Sequence, residues 1–371
     1  MFRLLEHLPF TKWHAAEISA VYRFVMRDQV PQTFVNPASG AREHWRSVVL
    51  FGRNVASYKF ALAKSLLEMS TRLSDFVTLE DLAVPFSRNI CEHLLLVDRQ
   101  GTFERSRFLD ACRFFNAGRI SDDELRDATK LLGFNNVIDA FHVVGSGDVP
   151  TRFFIDERNS GGIRLTESFF QIAESFGQDL IQEAESRWRL VEESWESRAS
   201  GQQVVVLYDA PRELLVPALQ GKRRSITEVR PALNGYQKGH CFYCFRPISL
   251  SGRVQNEVPD IDHFFPHVLM SRGIPVNLDS PWNLVLSCTY CNRGSAGKFA
   301  SLPHDRYLER IFRRNEYLIS SNHPLRETLI EMTGADSQSR QKFLRNLDAL
   351  AVQLVNTKTR WRAKDESDPL F

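Results

Sequence analysis

The chain has 371 residues, 43% apolar and 25% charged, with a formal net charge of +2. That balance belongs to a globular polypeptide with room for two domains, and it excludes a disordered or low-complexity chain. No apolar run approaches the roughly 20 residues of a membrane span, and so small a basic excess means that any polyanionic partner must be met by unevenly placed charge.

The opening stretch, MFRLLEHLPFTKWH, lacks the small-residue cleavage site of a secretory signal. Residues 1–200 read as mostly helical. Phe51, Val55, Tyr58, Leu62, Leu66 and Met69 recur at spacings of three and four, which predicts one face of an amphipathic helix. Thr78 with Asp81 resembles a capped helix start, and Ser87 is a candidate start for the next helix. His93 is expected to pack or to lie at the surface rather than to ligate. A further apolar-periodic segment runs from Phe103 to Phe115 and closes at Gly118. Ser121 with Glu124 forms a capping box for a helix reaching Gly133.

Phe153 to Leu165, broken by Asn-Ser-Gly-Gly, predicts a β-hairpin. The longest helix follows, from about Thr166 to Ser197, with Trp188 and Trp195 on its apolar stripe. Such a stripe serves as core, as a domain brace or as an oligomer seam. The stretch around Gly201 breaks that helix and marks the expected boundary between domains 1–200 and 201–371. Val204 to Tyr208 is strand-like, and helices are expected over 305–320, 324–332 and 337–355.

The chemistry-bearing stretch is Cys241 to Lys298. Cys241/Cys244 and Cys288/Cys291 are two Cys-x-x-Cys turns, each able to aim two sulfurs to one side, and together they make a four-cysteine structural zinc site. Four reduced thiols that merely pack are the blander alternative; a dithiol redox pair lacks the βαβ surroundings it needs. The other two of the six cysteines, Cys91 and Cys112, sit in helix-like apolar contexts. Reduced, metal-bound thiols suit a cytoplasmic compartment. Between the turns, Asp260-Ile261-Asp262-His263 reads as a strand, Trp282 to Leu286 as a second, and Asn292 opens a short helix ending near Lys298. Basic residues cluster at 222–224, at Arg293 and Lys298, and at Arg310, Arg313 and Arg314, as phosphate contacts or as solvated faces.

Asp262-His263, Asn283-Leu284, Cys291-Asn292 and Lys298, inside the cysteine bracket, resemble the HNH endonucleases with a ββα-metal fold, in an H-N-N variant. The resemblance is local, covering roughly residues 235–305. Joined to the helical reading of the rest of the chain, it gives an α+β protein: a mainly helical N-terminal domain, then a zinc-stapled nuclease unit with C-terminal helices. It also implies that His263 is the general base, that Asp262 and Asn292 hold one Mg2+ or other divalent ion, and that Asn283 braces the loop that aims His263. Lys298 is then a phosphate contact, with Arg293 beside it by charge clustering; from their own positions Asp260 is an extra ligand or an exposed strand carboxylate, His267 a substitute base, a substrate contact or a loop residue, and His240 a knuckle neighbour rather than a fifth ligand. The implied activity is cutting or nicking of DNA, with anti-phage defence as a setting and protein partners or a homo-oligomer for the helical half. A zinc-ribbon module that binds nucleic acid without catalysis, and an RNA-directed nuclease, stand as alternatives.

Overall fold

The computed structural model describes residues 40–371 apart from positions 53, 72–73, 104, 146, 202–204, 219–224, 253–256, 322 and 357–358. The opening stretch and the basic run at 222–224 lie outside the described residues. Mixed helix and strand make the fold α+β.

The first half is helical. Helix α1 (Ala41–Arg46) runs into a π-helical turn, Ser47–Phe51. Helix α2 (Tyr58–Glu68) starts afresh, so the expected continuous helix from Phe51 does not form, and Val55 is half exposed in the break. Helix α3 (Leu79–Leu94) begins where Thr78 accepts a hydrogen bond from the Asp81 N–H at 3.0 Å. Ser87 does not start a helix: it lies inside α3 and returns its hydroxyl proton to the Ala83 carbonyl. Helices α4 (Arg107–Asn116) and α5 (Asp122–Ala128) follow, the latter opened by the Ser121/Glu124 capping box. Strand β1 (Phe76–Thr78) pairs with the hairpin of β2 (Phe154–Glu157) and β3 (Gly162–Leu165) in the order β1-β3-β2.

Helix α6 (Glu167–Ala199) is the brace of the molecule. Its tryptophan stripe turns inward: Trp188 and Trp195 are buried in the chain's own core, so the stripe is not left for a second copy. His93 is also internal. Its ring stacks on Trp188 with centroids 3.4 Å apart, and its nitrogens meet Glu192 and Glu185 at 2.7 and 3.1 Å.

The second half begins with a small antiparallel sheet of β4 (Val206–Asp209), β5 (Leu214–Pro217) and β6 (Thr227–Glu228). Helix α7 (Val229–Gln237) packs on α6 and delivers the chain to the first cysteine turn. Strands β7 (Asp260–His263) and β8 (Leu284–Ser287) pair antiparallel, with Leu284 opposite His263 and Ser287 opposite Asp260. Helix α8 (Thr289–Arg293) follows at once. All four β8 residues are buried, because α7 covers this two-stranded ribbon and Arg314 reaches β8 from the next helix. Gln237 completes β8 as a peptide group would: its side-chain amide donates to the Leu286 carbonyl and accepts from the Leu286 N–H, both at 2.8 Å. Helices α9 (Asp305–Ser320), α10 (Arg326–Thr333) and α11 (Ser337–Val355) close the fold.

One hydrophobic core runs through both halves. Among the described residues no helix is long and apolar enough to cross a membrane.

Candidate functional site

Four cysteines converge first. The Sγ atoms of Cys241, Cys244, Cys288 and Cys291 are buried and lie within 4.8 Å of one another, with Cys244 and Cys288 3.7 Å apart. Sulfurs at the corners of a zinc tetrahedron with bonds of about 2.3 Å stand about 3.8 Å apart. The cluster therefore has the donor type and spacing to hold a metal ion such as zinc. The first turn is closed by the Phe245 N–H on the Cys241 carbonyl, with Phe245 in the left-handed region at φ 59°. In the second, Cys288 precedes α8, and the Asn292 N–H donates back to its carbonyl. His240 is no fifth ligand: its Nδ1 meets the Lys238 carbonyl at 2.8 Å, and burial beside Arg42 pushes its pKa down to about 4.

The β7–β8 pair and α8 then fix three acidic or amide side chains. By strand alternation Asp260 and Asp262 share one face of β7, and His263 takes the other. Asp262 is buried, and both of its oxygens are used. Tyr243, between the first two cysteines, donates its hydroxyl to Oδ2 at 2.6 Å, and Lys298 donates to Oδ1 at 2.9 Å. Burial and the nearby Asp262 charge hold the Tyr243 phenol well above its ordinary pKa, so it remains the donor.

Lys298 corrects an expectation. It is 0% exposed and cannot face a flanking phosphate in this arrangement. Its ammonium also reaches the His263 carbonyl at 2.8 Å. The helix expected to end near Lys298 already ends at Arg293. The chain then folds back, with the Lys298 N–H on the Cys291 carbonyl and the Phe299 N–H on the Asn292 carbonyl. Glycine is required for that turn: a Cβ on Gly294 would lie 2.7 Å from the Tyr290 carbonyl oxygen, and one on Gly297 2.8 Å from that of Asn292.

Asn292 does not meet Asp262. Its amide nitrogen donates to Asp260 at 3.0 Å, and the exposed Arg293 donates to the same oxygen at 2.9 Å. Asp260 is thus a partnered carboxylate at the rim of the unit.

His263 sits at the end of β7 with 15% of its side chain exposed. Its Nε2 lies 2.7 Å from Asp279 Oδ1, while Nδ1 makes no hydrogen bond among the described residues. A carboxylate accepts, so Nε2 carries the proton and Nδ1 keeps a free lone pair. Burial lowers the His263 pKa from its usual value, and the Asp279 hydrogen bond opposes that shift. His267 is more exposed and reaches the other Asp279 oxygen at 3.5 Å. Asn283 is fully buried in the same region. It donates to the Phe265 and Leu278 carbonyls at 3.1 Å each and accepts from the Phe265 N–H at 2.8 Å, tying the loop after His263 to the turn before β8.

Two residues of this arrangement carry no motif signal, Tyr243 and Asp279. Tyr243 lies inside the first cysteine turn, where its phenol reads as ordinary packing. Asp279 sits in the loop between the paired strands, and its only sequence cue is the Asn277-Leu278-Asp279 run, which forms an Asx turn with the Asp279 N–H on Asn277 Oδ1.

Of the basic residues after the unit, Arg314 is also corrected. It is buried and donates to the carbonyls of Pro281, Trp282 and Leu284, so it holds β8 rather than facing a partner. Compared with family models, with curated proteins and with solved structures, the chain matches none.

Proposed function

We propose that this protein is an HNH-type endonuclease that hydrolyses phosphodiester bonds of DNA, with zinc as a structural ion. The observation that carries the reading is the His263–Asp279 pair at the end of a hairpin that four cysteines clamp to a helix. Asp279 orients the imidazole and stabilises its protonated form, as the carboxylate of a hydrolytic triad does. Nδ1 can then take a proton from water as the water oxygen bonds to phosphorus and the bond to the 3′ oxygen breaks. Neutral imidazole near pH 7 suits that step. Asn283 acts by positioning, since its hydrogen bonds shape the loop behind His263.

A divalent cation is part of the reading. Asp262 does not fit as its ligand, because Tyr243 and Lys298 use both oxygens. Asn292 and Arg293 share Asp260 Oδ2, which leaves Asp260 Oδ1 and the Asn292 amide oxygen as hard donors of the class that Mg2+ takes. An ion held there would supply positive charge to a bound phosphate.

The alternative is a zinc-ribbon module that binds nucleic acid without cutting it. The internal pairing of Asp262 favours it. Plasmid relaxation with Mg2+ separates the two. Under the endonuclease reading, wild-type protein nicks the plasmid, and His263→Ala lowers the rate at least ~100-fold, the usual weight of a general base. DNA retention with no nicking by either protein would decide for the module; digestion of tRNA with the plasmid left intact would make the substrate RNA. Asp260→Asn should also weaken Mn2+ binding measured by paramagnetic resonance, and unchanged Mn2+ binding would remove Asp260 from the metal site.

A further inference from the structure

Helix α9 carries Arg306, Arg310 and Arg313 at i, i+4 and i+7, on one face. The segment after Trp361 returns along this face. The Ser367 N–H donates to the Cys244 carbonyl at 3.0 Å, and the Phe371 ring lies 4.9 Å from that of Phe245. Between helix and segment is an open groove of about 420 Å³, lined by the three arginines, Arg362, Glu366 and Phe371.

The charges in this groove are lopsided. Arg310 spends one nitrogen on the Phe242 and Tyr243 carbonyls of the first cysteine turn and gives the other to Glu366 at 2.6 Å. Arg306 lines the groove beside the same side chain. One carboxylate thus sits on the Arg310 guanidinium with a second guanidinium next to it. Arg313 is 69% exposed and, among the described residues, is paired sideways with Glu309 on its own helix at 3.3 Å. Arg362 is exposed at the opposite wall.

We propose that this groove docks the phosphodiester backbone of nucleic acid, and that Glu366 holds the place of a phosphate in the free protein. Guanidinium forks match phosphate as they match carboxylate. From Arg306 to Arg313 the helix rises about 10 Å, which is about three base-pair steps along a duplex at 3.4 Å each. A run of phosphates can therefore follow the arginine face, where a single small anion would meet only one fork. Because Arg310 is bonded to the cysteine turn itself, the backbone would be held on the same rigid unit as His263. The choice of DNA as ligand rests on the endonuclease reading; the groove and its charges do not.

The test is binding of the zinc-loaded full chain to a fluorescent 20-base-pair duplex of mixed sequence, by anisotropy, without added divalent metal and over a salt series. The Arg313→Ala/Arg362→Ala double variant should bind about tenfold more weakly, with the slope of log K against log salt reduced by nearly two, one phosphate contact per arginine. Both side chains are exposed, so zinc content and melting temperature should stay at wild-type values. Glu366→Gln, which keeps the shape and removes the charge, should bind severalfold more tightly with a steeper slope. Wild-type affinity and slope in the double variant, or no tightening in Glu366→Gln, overturns the proposal. His263→Ala separates the two readings: it should stop nicking while leaving this slope unchanged. Intact nicking with a groove that fails the binding test removes the groove alone.

Discussion

At Lys298 a single side chain changes the meaning of its neighbours. A lysine after a Gly-rich turn reads as solvated, or as a phosphate contact, because sequence spacing does not show that the turn doubles back onto the Cys291 carbonyl. Once it does, the ammonium becomes the counter-ion of Asp262. Removing one member of a buried pair leaves the other charge uncompensated, which costs about 3–5 kcal/mol. Lys298→Met should therefore lower unfolding free energy by that amount in urea titrations, whereas a surface phosphate contact would leave the midpoint in place. Tyr243→Phe should cost less, about 1.5–3 kcal/mol, since it deletes one hydrogen bond to a charged acceptor. Asp279 shows the opposite limit of legibility. The pairing of β7 with β8 could be read from residue pattern, but which loop carboxylate lands on His263 depends on a long excursion that no periodicity governs.

At the scale of elements, the cysteine-bracketed hairpin was readable because its signals are local: paired cysteine spacing, a short alternating strand and a buried apolar strand. The details that failed lie where tertiary packing outweighs propensity. Ser87 was absorbed into α3 by its hydroxyl bond to Ala83, and the helix expected over Asn292–Lys298 formed instead over Thr289–Arg293, directly on the second cysteine turn. The unit has two paired strands and a five-residue helix, so an ion held by the four thiols would carry much of its order. Stripping the ion with a chelator should release protection of the β7 and β8 amides in hydrogen exchange while α2 and α3 stay protected; unchanged β7 and β8 protection would mean that the thiols only pack.

Helix α6 bears a pH dependence of its own. Burial alone would raise the Glu185 carboxyl pKa, but the hydrogen bond and charge of His93, with those of Lys64, bring it well below the usual range. The folded-state pKa is thus below the unfolded value of about 4.3. Its stabilisation is present above that value and is lost as pH falls below it. The urea midpoint should therefore drop on acidification through about pH 4, and Glu185→Gln should flatten the drop.

Across the whole molecule, the boundary expected near residue 200 falls at the end of α6 but does not divide the core. Arg46 from the first half pairs with Glu183 at 2.6 Å, and Glu183 also accepts from Asn234 of α7 at 2.6 Å, all of it buried. A shared core and a shared buried ion pair argue for one cooperative unit. Tryptophan fluorescence and zinc release should report the same unfolding midpoint, and two separate midpoints would restore the independent-domain view. Composition and helical periodicity showed that a helical half exists; they did not show that its longest helix is the platform on which the cysteine unit is mounted.

The Gln237 side chain has a last consequence, for what happens when a sealed backbone edge loses its plug. The outer edge of β8 is closed off inside the fold, where the Phe242 N–H also donates to the Leu286 carbonyl, so no solvent stands ready to replace a missing partner. Gln237→Ala should leave the Leu286 N–H bare and lower the unfolding free energy by about 1–3 kcal/mol, as followed by urea titration; an unchanged midpoint would show that another acceptor takes its place.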